Sequence, residues 1–152
     1  MIPALKTTLK MEASHRLLVP GSQEGIRQAA ERFDAFSAAH GLSKGEVWPF
    51  HVALDETLSN IIGHGLQGRA PGAQIEIELR LHDREIELLI VDDAPPFNPL
   101  EAQEPNTEQP LEEREVGGLG IALVRKLMEV VEYERLGDRN RLRLRRKLME
   151  EL

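Results

Sequence analysis

The amino-acid sequence predicts a two-layer α+β domain that spans residues 1–152. Three observations support this fold class: three segments with helical spacing of apolar residues, two segments with the alternation of β-hairpins, and the separation of the two kinds of segment along the chain. Because hairpins that are segregated from helices form a sheet with helices packed against it, we expect one sheet, one helical layer and one core.

The first part of the chain reads as a strand followed by two helices. Alternating apolar residues predict a short strand at Thr7–Ala13. After the break at Pro20-Gly21, apolar residues at helical spacing predict an amphipathic helix over Ser22–Ala39. Ser43 is suited to cap a second helix, which is expected to run to about Gly63.

The middle of the chain predicts a hairpin and a long loop. Ile75–Leu81 alternates apolar and polar residues, and Ile86–Val91 is more fully apolar, with a tight turn expected at His82-Asp83. The stretch from Asp92 to Gly117 has no sustained periodicity, and loops of this length inside compact domains are usually functional.

A third helix and a second hairpin complete the predicted order. The helix is expected to begin at about Leu119, and the hairpin pairs Val131–Leu136 with Arg139–Leu148 around Gly137-Asp138.

Composition and charge narrow the functional classes. The absence of cysteine excludes disulfides and thiolate chemistry and fits a reducing cytosol. The start of the chain lacks the apolar segment of a signal peptide and no run is long enough to span a bilayer, so we expect a cytoplasmic protein without membrane contact. The net charge of −7 argues against direct nucleic-acid binding. Arginines do cluster in residues 135–147, but they alternate with leucines, which favours one face of a strand.

The first motif lies on the second predicted helix. Glu56, Asn60 and His64 follow one another at intervals of four and form a polar row. A carboxylate beside an amide oxygen suits Mg²⁺, and the carboxylate could instead accept a proton from an attacking hydroxyl. Taken alone, the row is more simply the solvated face of a helix.

The second motif follows the fully apolar strand. Asp92 ends this strand just before Pro95-Pro96. An acid at the end of a buried strand can accept a hydrogen bond from an adenine amino group, a contact that discriminates strongly because its loss leaves the acid unpaired. Ordinary turn chemistry explains an aspartate before proline equally simply.

The third motif is the run of Gly117, Gly118 and Gly120 that leads into the third helix. Glycine amides can approach phosphates closely, and the helix start adds unpaired N–H donors. A plain hinge would look the same. Because no Gly-Lys-Ser/Thr occurs in the chain, the run is not a Walker loop.

In this order the three motifs resemble the N, G1 and G2 boxes of the GHKL ATPase superfamily. The versions found here are E-x-x-x-N-x-x-x-H-G, D-x-x-P-P-F-x-P and G-G-L-G-I-x-L-V-x-x-L-M with a following V-x-Y strand. They resemble the anti-sigma-factor serine/threonine kinases of the RsbW type, from the Ser22 helix to the Arg141–Leu148 strand. The resemblance implies the Bergerat fold, a mixed and mostly antiparallel sheet with helices on one face.

The resemblance also implies roles for individual residues. Glu56 would be the catalytic base, Asn60 the Mg²⁺ ligand and Asp92 the acid that recognises adenine. The residues about 95–116 would form a lid over ATP. Further ATP contacts are implied at His64, Ala94, Phe97, Gly117, Gly118, Leu119 and Gly120. Ala94 stands where the family usually has glycine, and its methyl group is expected to weaken ATP binding without preventing it.

The function implied by the resemblance is that of a kinase that uses ATP and Mg²⁺. Its substrate would be a STAS-domain anti-anti-sigma protein, which competes with a sigma factor for a homodimer of the kinase. A base at Glu56 fits direct transfer of a phosphoryl group from ATP to a serine or threonine. The alternative is a nucleotide-responsive binding protein with weak or no kinase activity, which Ala94 leaves open.

Overall fold

The computed structural model describes residues 11–66, 72–101 and 118–148, which form a sheet and a helical layer. The elements are β1 (Met11–Pro20), α1 (Gln23–Ala39), α2 (Lys44–Asn60), a π-helical turn (Ile61–Gly65), β2 (Gln74–His82), β3 (Glu85–Asp92), a 3₁₀ turn (Pro99–Glu101), α3 (Gly118–Leu127), β4 (Val130–Leu136) and β5 (Arg139–Lys147).

The described strands form a five-stranded sheet in the order β1-β2-β3-β5-β4. Each of its four pairings is antiparallel. This arrangement confirms the two-layer α+β fold that the sequence predicts, and within the described ranges the sheet has no parallel pairing. Strand β3 lies at the centre of the sheet, and each of its residues except Val91 is buried.

The core lies between the helices and one face of the sheet. Phe33 of α1 and Phe50 of α2 are fully buried, with their ring centroids 6.3 Å apart. They belong to the same apolar cluster as Ile77, Leu88 and Leu144 of the sheet. The alternation of buried and half-buried residues along β2 follows from the period of two in a strand with one covered face.

The other face of the sheet carries a network of arginines and glutamates. Arg143 Nε donates to Glu87 at 2.5 Å, and Arg80 Nη1 donates to the same carboxylate at 3.0 Å. Burial acts to raise the pKa of Glu87, but the hydrogen bonds from the two arginines outweigh it and hold that pKa below its ordinary value. Arg141 and Arg145 likewise contact Glu134 and Glu85. The alternating arginines are therefore a paired strand face.

The end predicted for the first strand is wrong. Strand β1 spans Met11–Pro20, so it overlaps the predicted Thr7–Ala13 only at its first three residues, and residues 7–10 lie outside the described parts. The inward residues are Leu17 and Val19, but Leu18 between them is also apolar and points outward. This outward leucine hides the alternation that would have revealed the strand.

Two element boundaries also differ from the prediction. The turn between β2 and β3 lies at Asp83-Arg84, one residue later than expected, and Asp83 has a positive φ of 49°. An aspartate tolerates this left-handed conformation better than most residues. The second helix is α-helical only to Asn60 and continues as the π-helical turn Ile61–Gly65. No helix in the described parts of the chain is long and apolar enough to cross a membrane.

Gly25→Ala is expected to lower the free energy of unfolding by about 1–3 kcal/mol, the range for overpacking. A Cβ on Gly25 would overlap the carbonyl oxygen of Pro20 and lie 2.9 Å from its carbonyl carbon, so backbone would have to move. The control is Gly45→Ala in the first turn of α2, where a Cβ meets nothing within 4 Å. Helix propensity alone predicts that this control is stabilised by up to about 1 kcal/mol. Urea denaturation gives the free energy of unfolding of both variants. Equal changes in the two variants would contradict the prediction.

Glu46→Gln is expected to reduce stability in a pH-dependent way. Glu46 accepts hydrogen bonds from Arg84 Nη2 at 2.9 Å and from the backbone N–H of Ser43 at 3.0 Å, and together they lower the pKa of its carboxyl. Because the folded pKa is the lower one, the stabilisation is present above the unfolded value of about 4.3 and is lost as pH falls through the folded value. Denaturation curves recorded from pH 7 downward should show that the difference in free energy of unfolding between wild type and variant shrinks in acid. A difference that stays constant with pH would contradict this explanation.

Candidate functional site

A narrow pocket opens where α2, the end of β3 and the β4–β5 hairpin meet. It is lined by Thr57, Asn60, Ile61, Gly65, Asp92, Phe97, Pro99, Tyr133, Asn140 and Leu142. Its free volume is about 20 Å³, which is room for about one water molecule. Pockets that enclose small-molecule ligands commonly have about 300–1,000 Å³, so a nucleobase could enter only if this pocket widened.

Asp92 lies at the wall of the pocket and is only 5% exposed. Its Oδ1 accepts a hydrogen bond from the backbone N–H of Ala94 at 3.0 Å and another from Asn140 Nδ2 at 2.9 Å. The first of these bonds belongs to the aspartate turn that the sequence offered as the alternative explanation of Asp92. Both bonds end on the same oxygen, which orients the carboxylate with respect to the pocket.

Asn140 ties the segment after β3 to the β4–β5 hairpin. Its Nδ2 also donates to the carbonyl oxygens of Ala94 at 3.2 Å and Pro95 at 3.1 Å. Its Oδ1 accepts from the Tyr133 hydroxyl at 2.5 Å and from the backbone N–H of Phe97 at 3.4 Å. One buried amide therefore fixes the backbone that follows Asp92.

Ala94 packs against the π-helical turn. It is 1% exposed, and a Cβ on Gly65 would lie 3.2 Å from its methyl group. The methyl group is accommodated because residue 65 has no side chain. Gly65 lines the pocket and Ala94 does not, so the methyl group stands behind the pocket wall.

The polar row on α2 is not one solvated face. Glu56 is half-buried, Asn60 is 8% exposed and lines the pocket, and His64 is exposed. The His64 ring stacks on Phe97 with centroids 6.0 Å apart and planes 18° apart. The end of the row therefore contacts the segment that follows Asp92.

Glu56 contacts the glycine-led start of α3. A Cβ on Gly120 would overlap Oε2 of Glu56 and lie 3.3 Å from its Cδ. Gly120 therefore allows this carboxylate to lie directly against the helix backbone. Gly118 begins α3, whereas Gly117 and the side chain of Leu119 lie outside what the structure describes, as do residues 102–116 of the expected lid.

Sequence reasoning missed three polar residues of the pocket: Thr57, Tyr133 and Asn140. A signal existed for Asn140, because it shares the inward register of β5 with Leu142 and Leu144. A polar residue in an otherwise apolar register needs a buried hydrogen-bond partner. In the described ranges, no group of three or more histidine, aspartate or glutamate side chains could hold a metal ion by itself.

Comparison with known proteins gives the class of protein to which this fold belongs. Residues 19–146 match the family described as the histidine kinase-like ATPase domain. Because this match covers most of the chain, the chain belongs to that family.

Relatives narrow the similarity to the RsbW-like kinases. The serine/threonine-protein kinase BtrW of Bordetella bronchiseptica is 34% identical over 93 residues, which are 61% of this chain and 65% of that protein. The serine-protein kinase RsbW of Oceanobacillus iheyensis is 27% identical over 118 residues, 74% of this chain and 73% of that protein. The match to BtrW thus spans slightly less than two thirds of its length.

A solved structure supports the fold independently. The chain superimposes on a crystal structure of the RsbU and RsbW domains of a Mycobacterium tuberculosis protein with a TM-score of 0.63, covering 90% of this chain and 32% of that one. At 13% identity this likeness shows the fold alone. Together the comparisons confirm the RsbW-like resemblance that the three motifs indicate.

Proposed function

We propose that the chain is an ATP-dependent serine/threonine-protein kinase and anti-sigma factor that phosphorylates a STAS-domain anti-anti-sigma partner. The observation that carries the proposal is the contact between Glu56 and Gly120. A helix start binds phosphates through unpaired backbone amides, so this contact puts a carboxylate close to a candidate phosphate site. The similarity to proteins named as serine/threonine kinases supports the same conclusion.

The nucleotide is proposed to bind with its base in the pocket and its phosphates at the start of α3. Asp92 would accept a hydrogen bond from the adenine amino group, because its carboxylate is buried at the pocket wall and already oriented by Asn140. The other proposed ATP contacts are those of the motifs, namely His64, Ala94, Phe97, Gly117, Gly118, Leu119 and Gly120.

Asn60 is the proposed Mg²⁺ ligand. Its amide lies in the pocket wall one helical turn from Glu56, and such oxygen donors suit a hard cation. Few protein ligands are needed, because Mg²⁺ at nucleotide sites is held largely by phosphate oxygens. The bound ion would neutralise charge that develops on the transferred phosphoryl group.

Glu56 is the proposed general base. It would accept the proton of a serine or threonine hydroxyl as that oxygen attacks the terminal phosphate of ATP. The residues about 95–116 would act as a lid that closes over the nucleotide and excludes water. At the level of the whole protein we propose a cytoplasmic homodimer that a sigma factor and the STAS-domain partner bind in competition.

The experiment that tests the function is transfer of label from γ-labelled ATP to a purified STAS-domain protein in the presence of Mg²⁺. We expect label on a serine or threonine of the partner, with none when EDTA removes the metal. ATP binding without transfer to any such partner would overturn the kinase proposal.

The second candidate is a nucleotide-responsive binding protein with weak or no kinase activity. A nucleotide would have to widen the narrow pocket, and such a change of shape on binding is what a nucleotide-responsive protein requires. ATP-dependent release of a bound partner, without label transfer, would support this candidate over the kinase.

A further inference from the structure

Thr57 has a buried hydroxyl group without a hydrogen-bond partner. The residue is 1% exposed, and its Oγ1 makes no hydrogen bond in the structure. In a helix such a hydroxyl usually bonds to a carbonyl oxygen of the preceding turn or faces solvent, and this one does neither. A buried polar atom left unpaired costs free energy, so its presence needs an explanation.

The position of Thr57 offers one explanation. It lines the same pocket as Asp92 and Asn140, whose side chains bond to each other. Thr57 lies next to Glu56 in the sequence of α2, so the hydroxyl belongs to the helix that carries the candidate base. Valine would fill the same space without the unpaired group, so packing alone does not account for threonine here.

We propose that Thr57 is a second residue that recognises the nucleobase, in addition to Asp92. Its hydroxyl donates a hydrogen bond to a ring nitrogen next to the adenine amino group, from which Asp92 accepts a hydrogen bond. In adenine that amino group is flanked by N1 and N7, and both are acceptors that need a donor. The Asp92 carboxylate can only accept hydrogen bonds, so a hydroxyl that donates one complements it. This inference rests on the proposed ATP site and adds a specificity residue to it.

The test replaces Thr57 by valine, which keeps the shape and removes the hydroxyl. Titration calorimetry would give the affinity of the wild type and Thr57→Val for ATP, 1-deaza-ATP and 7-deaza-ATP. We expect Thr57→Val to bind ATP about tenfold more weakly, as for loss of one hydrogen bond. We expect its thermal midpoint to be unchanged or raised, because the unpaired hydroxyl is gone. Thr57→Ser should retain most of the affinity.

The deaza analogues identify the contact. If the hydroxyl donates to N1 or N7, the wild type loses affinity when that nitrogen is replaced by carbon, and Thr57→Val shows no further loss for the same analogue. Equal ATP affinity in wild type and Thr57→Val would overturn the inference. So would a lowered midpoint with the same loss for all three nucleotides, which would indicate a packing role. A wild type that binds no ATP would instead refute the proposed function itself.

Discussion

Replacement of Glu56 by glutamine is expected to slow phosphoryl transfer by about 10²–10⁴-fold, the usual contribution of a general base. Glutamine has the same shape, so it can keep the contact with Gly120, but its amide cannot take up the proton of the attacking hydroxyl. ATP affinity should change little, because the base acts on the hydroxyl and not on the nucleotide. Single-turnover transfer and equilibrium ATP binding would measure the two effects separately.

The matched control is Asp55→Asn, the same chemical change at the neighbouring exposed residue of α2. Transfer by this variant should remain close to the wild-type rate. An equal loss in both variants would show that the charge of the helix matters and that Glu56 has no particular role.

Replacement of Asp92 by asparagine is expected to weaken ATP binding about 10–100-fold, as for a lost hydrogen bond to a charged acceptor. The asparagine oxygen can still accept from the Ala94 N–H and from Asn140 Nδ2, so the loop should remain in place. Its new NH₂ group would oppose the adenine amino group, because both are donors. Titration calorimetry measures the affinity, and the unfolding midpoint reports whether the fold is kept.

Asp93→Asn serves as the control for this prediction, since Asp93 is the adjacent exposed residue and carries the same charge. ATP should bind this variant about as tightly as it binds the wild type. If Asp92→Asn bound ATP normally, the aspartate would have only its turn role, and the adenine assignment would be withdrawn.

Most of the fold could be predicted because its signals are local. Apolar residues at helical spacing identify α1 and α2, and alternation identifies β2. The end of β1 was misplaced because the outward Leu18 is apolar like the inward Leu17 and Val19, and which of the three faces the core depends on elements distant in the chain. A property set by a distant neighbour cannot be recognised from the local pattern.

The candidate site was predictable only in part for the same reason. Glu56, Asn60 and Asp92 belong to compact motifs with fixed spacing. Thr57 and Asn140 meet at one pocket although α2 and β5 are far apart in the chain, and nothing local to either residue indicates the meeting. The narrowness of the pocket likewise depends on packing among several elements.

The contact between Glu56 and Gly120 also constrains how this sequence can evolve. While residue 56 is a glutamate in this position, a side chain at residue 120 would push its carboxylate away from the start of α3. In a relative in which alanine replaces Glu56, the carboxylate is absent and this restriction on residue 120 no longer applies. A relative with a side chain at position 120 is therefore expected mainly among those in which the acid no longer has a role at the start of α3.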